Sequence, residues 1–442
     1  MTENKQILVI GGGPAGIQAA LAASGTGNRV MLVSDSPLGG RAAWQTLLPS
    51  KMWLNTSITS PDEFDGMRRR FENVAGAWQR QIEMSLEQEG VDVRLGTASF
   101  LSPHEIQILP PEGGYPDQIS ADAVIIASGA VPFVPPGLKP DGERIFSPHT
   151  IWKLDRIPRD MIVVGSGGPA TEYVDAFSRM GVAITWVTGP VSVLSAYPPE
   201  AGQIISKMME KRGVRIVSGI VARQIEHDGS GVRLQTGSGD AFKAEMAFVA
   251  IGLRPDLERL NLPAAGIKPG STGGVATDPY GRTSVEHIYL AGDAANPFSA
   301  NISLAQGRLA GRHAAGLDVE PLNMETAVMA IYTNPQVAMI GHMSDRNQPL
   351  AKVRAPFRSC LRSHLIEVDA GEDTDGFLEV TYLAAAPRKI TGALAICPEA
   401  AEILTPLAVA IKAGMTIDEL SHVYTAHPTY SELAVLTARM AR

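Results

Sequence analysis

The 442-residue sequence contains only two cysteines, Cys360 and Cys397. That is too few for a disulfide framework or a thiolate-ligated cluster, and it points to a reducing cytoplasm. A basic excess is also missing. Lys and Arg number 38 against 46 Asp and Glu, a formal charge of −8. Nucleic acid is therefore excluded as a main partner, because nothing is available to neutralise a phosphate backbone. No apolar run reaches the roughly 18 residues of a membrane span. The opening "MTENKQILVIGGG" has no basic segment before its apolar run, and the run goes straight into glycine, so it reads as a first strand rather than a signal peptide. The nine histidines, His149 and His313 among them, show no metal-ligand spacing.

What is present is 45% hydrophobic residues and 44 glycines, and several short β-branched runs stop on glycine. "ILVIGGG", "AVIIASG", "MIVVGSGG", "MAFVAIG" and "IYLAGD" suit buried parallel strands. A strand–glycine–helix unit at 7–24 recurs at 161–181, which predicts an α/β fold with two doubly wound dinucleotide-binding, Rossmann-like domains. After about residue 320 the pattern changes. "DGFLEVTYLAAAPRKITGALAI" predicts antiparallel strands around a turn, and "AAEILTPLAVAIKAG" predicts a helix stopped at Gly414. This third part reads as α+β, with "SDRNQPLAKVRAPFRS" as an exposed connection inside it.

The first phosphate cradle is "GGGPAG". Gly11 permits the tight turn, Gly13 lets backbone approach a pyrophosphate, and Gly16 allows close helix–strand packing. Pro14 and Ala15 lie at the helix start, where free N–H groups face an anion. An acidic ribose ligand is expected near position 34. Ser34 stands there with Asp35 next, and Asp35 takes the role unless it is only a solvated turn residue. The second cradle has Gly165, Gly167 and Ala170. Its following strand ends at Thr188, where an acid would favour NAD, and the next basic residue along the chain is Lys207. NAD and NADP both stay open, as does a cofactor-free version of this unit.

Taken in order, the two cradles, "GGRAAWQTLLPSK", "IIASGAVPFVPP", "HIYLAGDA" and "AHPTYSE" resemble the pyridine nucleotide–disulfide oxidoreductases, the dihydrolipoamide dehydrogenase and mercuric reductase group. The resemblance spans essentially the whole chain. It implies an FAD-binding domain at 1–150 and 278–320, an NAD(P)-binding domain at 151–277, and a dimerisation domain at 321–442 with active sites shared in a homodimer. For FAD it implies contacts from Gly40, Ala98, Gly129 and Gly292, with Asp293 on the ribityl chain. The helix start at Ala300 would face the flavin carbonyl. Lys51 and Glu172 would form an ion pair beside the flavin. Thr188 and Gly252, with the second cradle, would hold NAD(P)H. His427 and Glu432 would be the family's acid–base dyad, unless His427 only packs or caps an interface.

One departure matters most. The family pattern places two redox cysteines between Gly39-Gly40 and Pro49-Ser50-Lys51, and here Ala42 and Leu47 hold those positions. Cys397 reads as a packing residue and offers no replacement. The same stretch gains Arg41, which could meet an anionic substrate, and Trp44, which could stack on a planar one or simply fill space. The expectation is an FAD-dependent NAD(P)H oxidoreductase that passes electrons to a non-disulfide acceptor: a quinone, another small molecule or a protein. The alternative is a catalytically silent flavoprotein that acts as a subunit or sensor.

Overall fold

The computed structural model describes residues 4–55, 61–296, 298–344, 348–365 and 376–441. Contacts gather the chain into two compact units. One comprises Met1–Pro158, Arg223–Gln235 and Lys243–Leu322, and the other Arg159–Ala222, Thr236–Phe242 and Asn323–Arg442.

The first unit is built on a five-stranded parallel sheet. Strand β1 (Gln6–Ile10) lies at its centre, with β2 (Arg29–Ser34) and β3 (Asp92–Leu95) on one side. Ala123–Ile126 and Ile288–Leu290 follow on the other. The central strands are apolar on both faces because both faces are covered, as parallel sheets require. Between β1 and β2 runs helix α1 (Pro14–Ser24). It packs against the helix Ala300–Ala314, and two glycines make this possible: a Cβ on Gly307 would sit 2.0 Å from the carbonyl oxygen of Ala15, and one on Gly311 2.3 Å from that of Ala19. After β2 come the short helices α2 (Gly40–Trp44) and α3 (Leu47–Leu54), then the long helix α4 (Pro61–Gln88). Ala98 lies on an antiparallel strand, Thr97–Phe100, whose apolar face joins a second core layer with Ile106, Ile108 and Leu257.

The second unit repeats the motif. Strands Asp160–Val164, Ala183–Gly189 and Arg215–Ser218 are parallel, with the helix Gly168–Arg179 after the first. Its other sheet is antiparallel, in the order Met329–Ile331, Gln336–Gly341, Ile390–Cys397, Phe377–Leu383, Leu350–Pro356. The helices Ala400–Lys412 and Glu432–Arg439 close its core. The predicted hairpin and the helix before Gly414 are both present, and Gly414 adopts φ +66°.

One reading is corrected. The expected exposed connection contains the strand Leu350–Pro356, paired along its length with Phe377–Leu383. Residues 345–347 of that stretch lie outside the described residues. Its charged side chains have the look of a solvated loop but serve an edge strand. Arg354 stands opposite Glu379 and bonds it at 2.8 Å, and Lys352 reaches the same carboxylate at 2.8 Å.

Candidate functional site

The first cradle follows from backbone sterics. Gly11 has φ +116°, and a Cβ there would lie 2.2 Å from the carbonyl oxygen of Ala127. A Cβ on Gly16 would lie 1.8 Å from the carbonyl oxygen of Gly11. Gly13 differs from both, since a Cβ there meets nothing within 4 Å. It is the N-cap of α1 and has no side chain to occupy the helix's free N–H groups, while Pro14, with no N–H of its own, begins the helix. The result is an open, electropositive helix start with the glycine backbone facing open space. Ala15 is buried beneath it.

At the end of β2, the Ser34 hydroxyl donates to the carbonyl of Ser36 at 2.7 Å and is buried. The Asp35 carboxylate is paired with Arg259 at 2.5 Å and remains about one-third exposed. On the opposite side of the sheet, Gly292 and Asp293 form a tight turn just before the helix that begins at Ala300. The Ser303 hydroxyl donates to Asp293 at 3.1 Å, and burial raises this carboxyl above the ordinary range. Gly292 takes φ +68°, and its N–H donates to Gln306 at 3.0 Å.

The helix α2 starts against this cradle. A Cβ on Gly40 would lie 2.7 Å from the Cα of Gly13. Ala42 lies in α2, and Leu47 opens α3 with 41% exposure. Lys51 lies one turn further along α3. Trp44 is used internally: its Nε1–H donates to Leu38 at 3.0 Å and its ring packs edge-on against Phe71 of α4. Arg41 is also turned inward, onto Ser128, Ala130 and Asp256. Neither the Trp44 ring nor the Arg41 guanidinium is held out for a substrate.

Gly129, between those two carbonyls, has φ +76°. Gly252, with φ +141°, accepts a hydrogen bond from the Phe133 N–H at 2.9 Å and falls in the first unit beside that same loop.

In the second unit, Gly165 has φ +127° and a Cβ on Gly167 would meet open space, so this cradle copies the first. Ala170 is fully buried in the following helix. Glu172, two residues on, is buried and accepts the Tyr332 N–H at 2.9 Å. Its negative charge, together with the larger effect of burial, pushes the Tyr197 and Tyr332 phenols upward. Thr188 is buried, and its hydroxyl donates to Ser218 at 3.3 Å.

His427 and Glu432 do meet. The imidazole Nδ1 lies 2.7 Å from Oε2 of Glu432. The carboxylate is 7% exposed and the imidazole 62%, so a buried carboxylate holds a ring that faces outward. Its second oxygen, Oε1, is buried with no partner among the described residues. Cys360 and Cys397 are both fully buried as free thiols, and burial raises both above the usual range.

Sequence reasoning missed the partners of Arg41. Asp256 is 215 residues away, and no local pattern signals the pair.

Residues 5–316 match the family model of the pyridine nucleotide-disulphide oxidoreductases, and residues 327–438 match the model of that family's dimerisation domain. An NAD(P)H dehydrogenase (quinone) of Mycobacterium tuberculosis is 28% identical, the alignment covering 98% of this chain and 93% of that protein. A dihydrolipoyl dehydrogenase of Bacillus subtilis is also 28% identical, with 96% of each chain covered. The crystal structure of LpdA from Mycobacterium tuberculosis is similar over 98% of this chain and 99% of that one, with a TM-score of 0.91 at 28% identity. With a matching family model over both parts of the chain, two repeated cradles and no cysteine in the redox segment, the chain belongs to the pyridine nucleotide-disulphide oxidoreductase family as a member without the redox cysteine pair.

Proposed function

We propose that this protein is a homodimeric, cytoplasmic FAD-dependent NAD(P)H oxidoreductase that passes electrons to a non-disulfide acceptor, with a quinone as the first choice. The observation that carries this reading is the pairing of a thiol-free segment, Ala42 and Leu47, with an intact His427–Glu432 dyad at 2.7 Å. The 28% identity to an NAD(P)H dehydrogenase (quinone) supports the acceptor class.

The first cradle fits FAD. Open space at Gly13, the helix starts at Pro14 and Ala300, and a half-buried Asp293 suit a pyrophosphate, a flavin carbonyl and a ribityl chain in turn. The division into FAD-binding, NAD(P)-binding and dimerisation domains belongs to the same proposal. Bound there, FAD supplies two-electron chemistry between NAD(P)H and the acceptor.

The chain's own residues do the rest. Gly13 and Gly167 leave their helix N-termini open to phosphates. Lys51 supplies positive charge in the redox segment, and the buried Glu172 carboxylate neutralises positive charge. Glu432 holds Nδ1 of His427, which fixes the tautomer and leaves Nε2 to exchange a proton with the acceptor. A quinone needs such a proton, because its reduction to hydroquinone takes up two electrons and two protons.

A second reading, a silent flavoprotein, is favoured by Thr188, whose hydroxyl bonds Ser218 and whose position carries no acid for a ribose. Anaerobic mixing with NADH or NADPH decides between them. The flavin band should bleach and return on adding a benzoquinone; a band that neither nucleotide bleaches refutes the enzyme reading.

A further inference from the structure

Helix α2 begins at Gly40, against the backbone of Gly13, so the redox segment borders the first cradle. Arg41 follows directly. Its Nη1 donates to the carbonyls of Ser128 at 3.0 Å and Ala130 at 3.3 Å, and its Nη2 to the Asp256 carboxylate. The two carbonyls flank Gly129. Asp256 is tied to the same loop a second time, because its N–H donates to the Gly129 carbonyl at 2.9 Å. The strand Ala130–Pro132 pairs with Leu253–Pro255, which delivers Asp256 to this point. One guanidinium thus fastens three chain segments that are far apart in sequence. The pair is mostly sheltered, with side-chain exposures of 27% for Arg41 and 13% for Asp256. Arg259 extends the charge alternation, lying 3.7 Å from Asp256 and 2.5 Å from Asp35 at the end of β2.

We infer that the Arg41–Asp256 pair is a latch on the FAD cradle. It holds the cysteine-free segment against the Gly129 loop and so retains the bound cofactor. This chain has no cysteine between Gly39-Gly40 and Pro49-Ser50-Lys51 to cross-link the segment, and the ion pair anchors it from outside. Arg41 acts here as a positioning residue, its guanidinium engaged by Ser128, Ala130 and Asp256. Only arginine suits the position, since its fork reaches two carbonyls and a carboxylate in different directions, which a lysine ammonium on its single point cannot. The inference rests on the FAD reading above.

The test is the rate at which the holoprotein releases FAD, followed by the fluorescence of the freed cofactor. Arg41→Met and Asp256→Asn should each release FAD on the order of 10–100-fold faster, the range expected for losing charge-assisted hydrogen bonds. Arg41→Lys should fall between them and the unaltered protein. The double variant should be no faster than Arg41→Met alone, because both changes open one latch. Arg254→Met, which removes an exposed ion pair with Glu258 just beyond the same strand, should leave release unchanged. Melting of the apoproteins separates a structural role. Variants whose apo forms melt lower while FAD release stays at the original rate overturn the latch. If Arg41→Met does not fold, Asp256→Asn carries the measurement by itself. Unaltered protein that binds no FAD overturns the proposed function, and the latch with it.

Discussion

The three cradle glycines make different demands, and substitution with alanine should separate them. In Gly16→Ala the new methyl would lie 1.8 Å from the carbonyl oxygen of Gly11, roughly 1.5 Å inside contact distance. Backbone cannot yield that much without moving α1 off β1, so the cost should exceed the usual ~1–3 kcal/mol of overpacking. Gly11→Ala adds a φ of +116° to a 2.2 Å clash and should behave similarly. Gly13→Ala meets nothing within 4 Å, and its φ of −82° is open to any residue. Losing a glycine N-cap should cost the apoprotein about 1 kcal/mol or less. If a pyrophosphate lies against that backbone, the methyl holds it off and weakens charge-assisted bonds of about 1.5–3 kcal/mol each, raising the FAD dissociation constant on the order of 10–100-fold. The assay is paired: melting of the apoprotein, and FAD affinity by quenching of its fluorescence on binding. Gly13→Ala protein that binds FAD like the unaltered protein would refute the placement of the phosphates, and apo Gly13→Ala melting as low as Gly16→Ala would refute the steric argument.

Other expectations follow from the same geometry. With Cys360 and Cys397 fully buried and their thiols pushed upward, maleimide should label neither in the native protein, and NAD(P)H oxidation should survive the reagent; reductive titration of the flavin should show no thiolate charge-transfer band. Glu432→Gln removes the carboxylate 2.7 Å from His427, so quinone turnover should fall by roughly 10²-fold while reduction of ferricyanide, which needs no proton, stays close to normal. Burial, then the Arg41 cation, depresses His149 to about 4 against opposing pulls from a hydrogen bond with the Ala130 backbone and, more weakly, from Asp256. The folded ring is therefore neutral where the unfolded ring, near 6.5, takes a proton, and stability is lost as pH falls from about 6.5 toward the folded value. Urea melts should show a loss of up to about 2 kcal/mol between pH 7 and 5 from this group, and His149→Gln should flatten that slope.

Local sterics made much of this molecule readable from the sequence. A glycine at positive φ or under a carbonyl admits no other residue cheaply, so Gly11, Gly16 and Gly165 mark their turns wherever they occur. Buried parallel strands need continuous apolar runs, which is why the strands before both cradles were legible. His427 and Glu432 are five residues apart, and a short chain segment with a fixed shape can bring them together unaided. The same holds for the absence that defines the protein, since Ala42 and Leu47 carry no thiol in any fold.

What the sequence could not decide depends on pairing across long separations. Leu350–Pro356 read as a connection because Lys352 and Arg354 look solvated, and only the neighbouring strand, with Glu379 in register, makes them an edge. Arg41 looked like a hand held out to a substrate. The fold turns it inward because the ribbon formed by residues 130–132 and 253–255 brings two carbonyls and Asp256 to its guanidinium. A charged side chain goes wherever its counter-charge and acceptors lie, and for Arg41 that place exists only once the chain has folded.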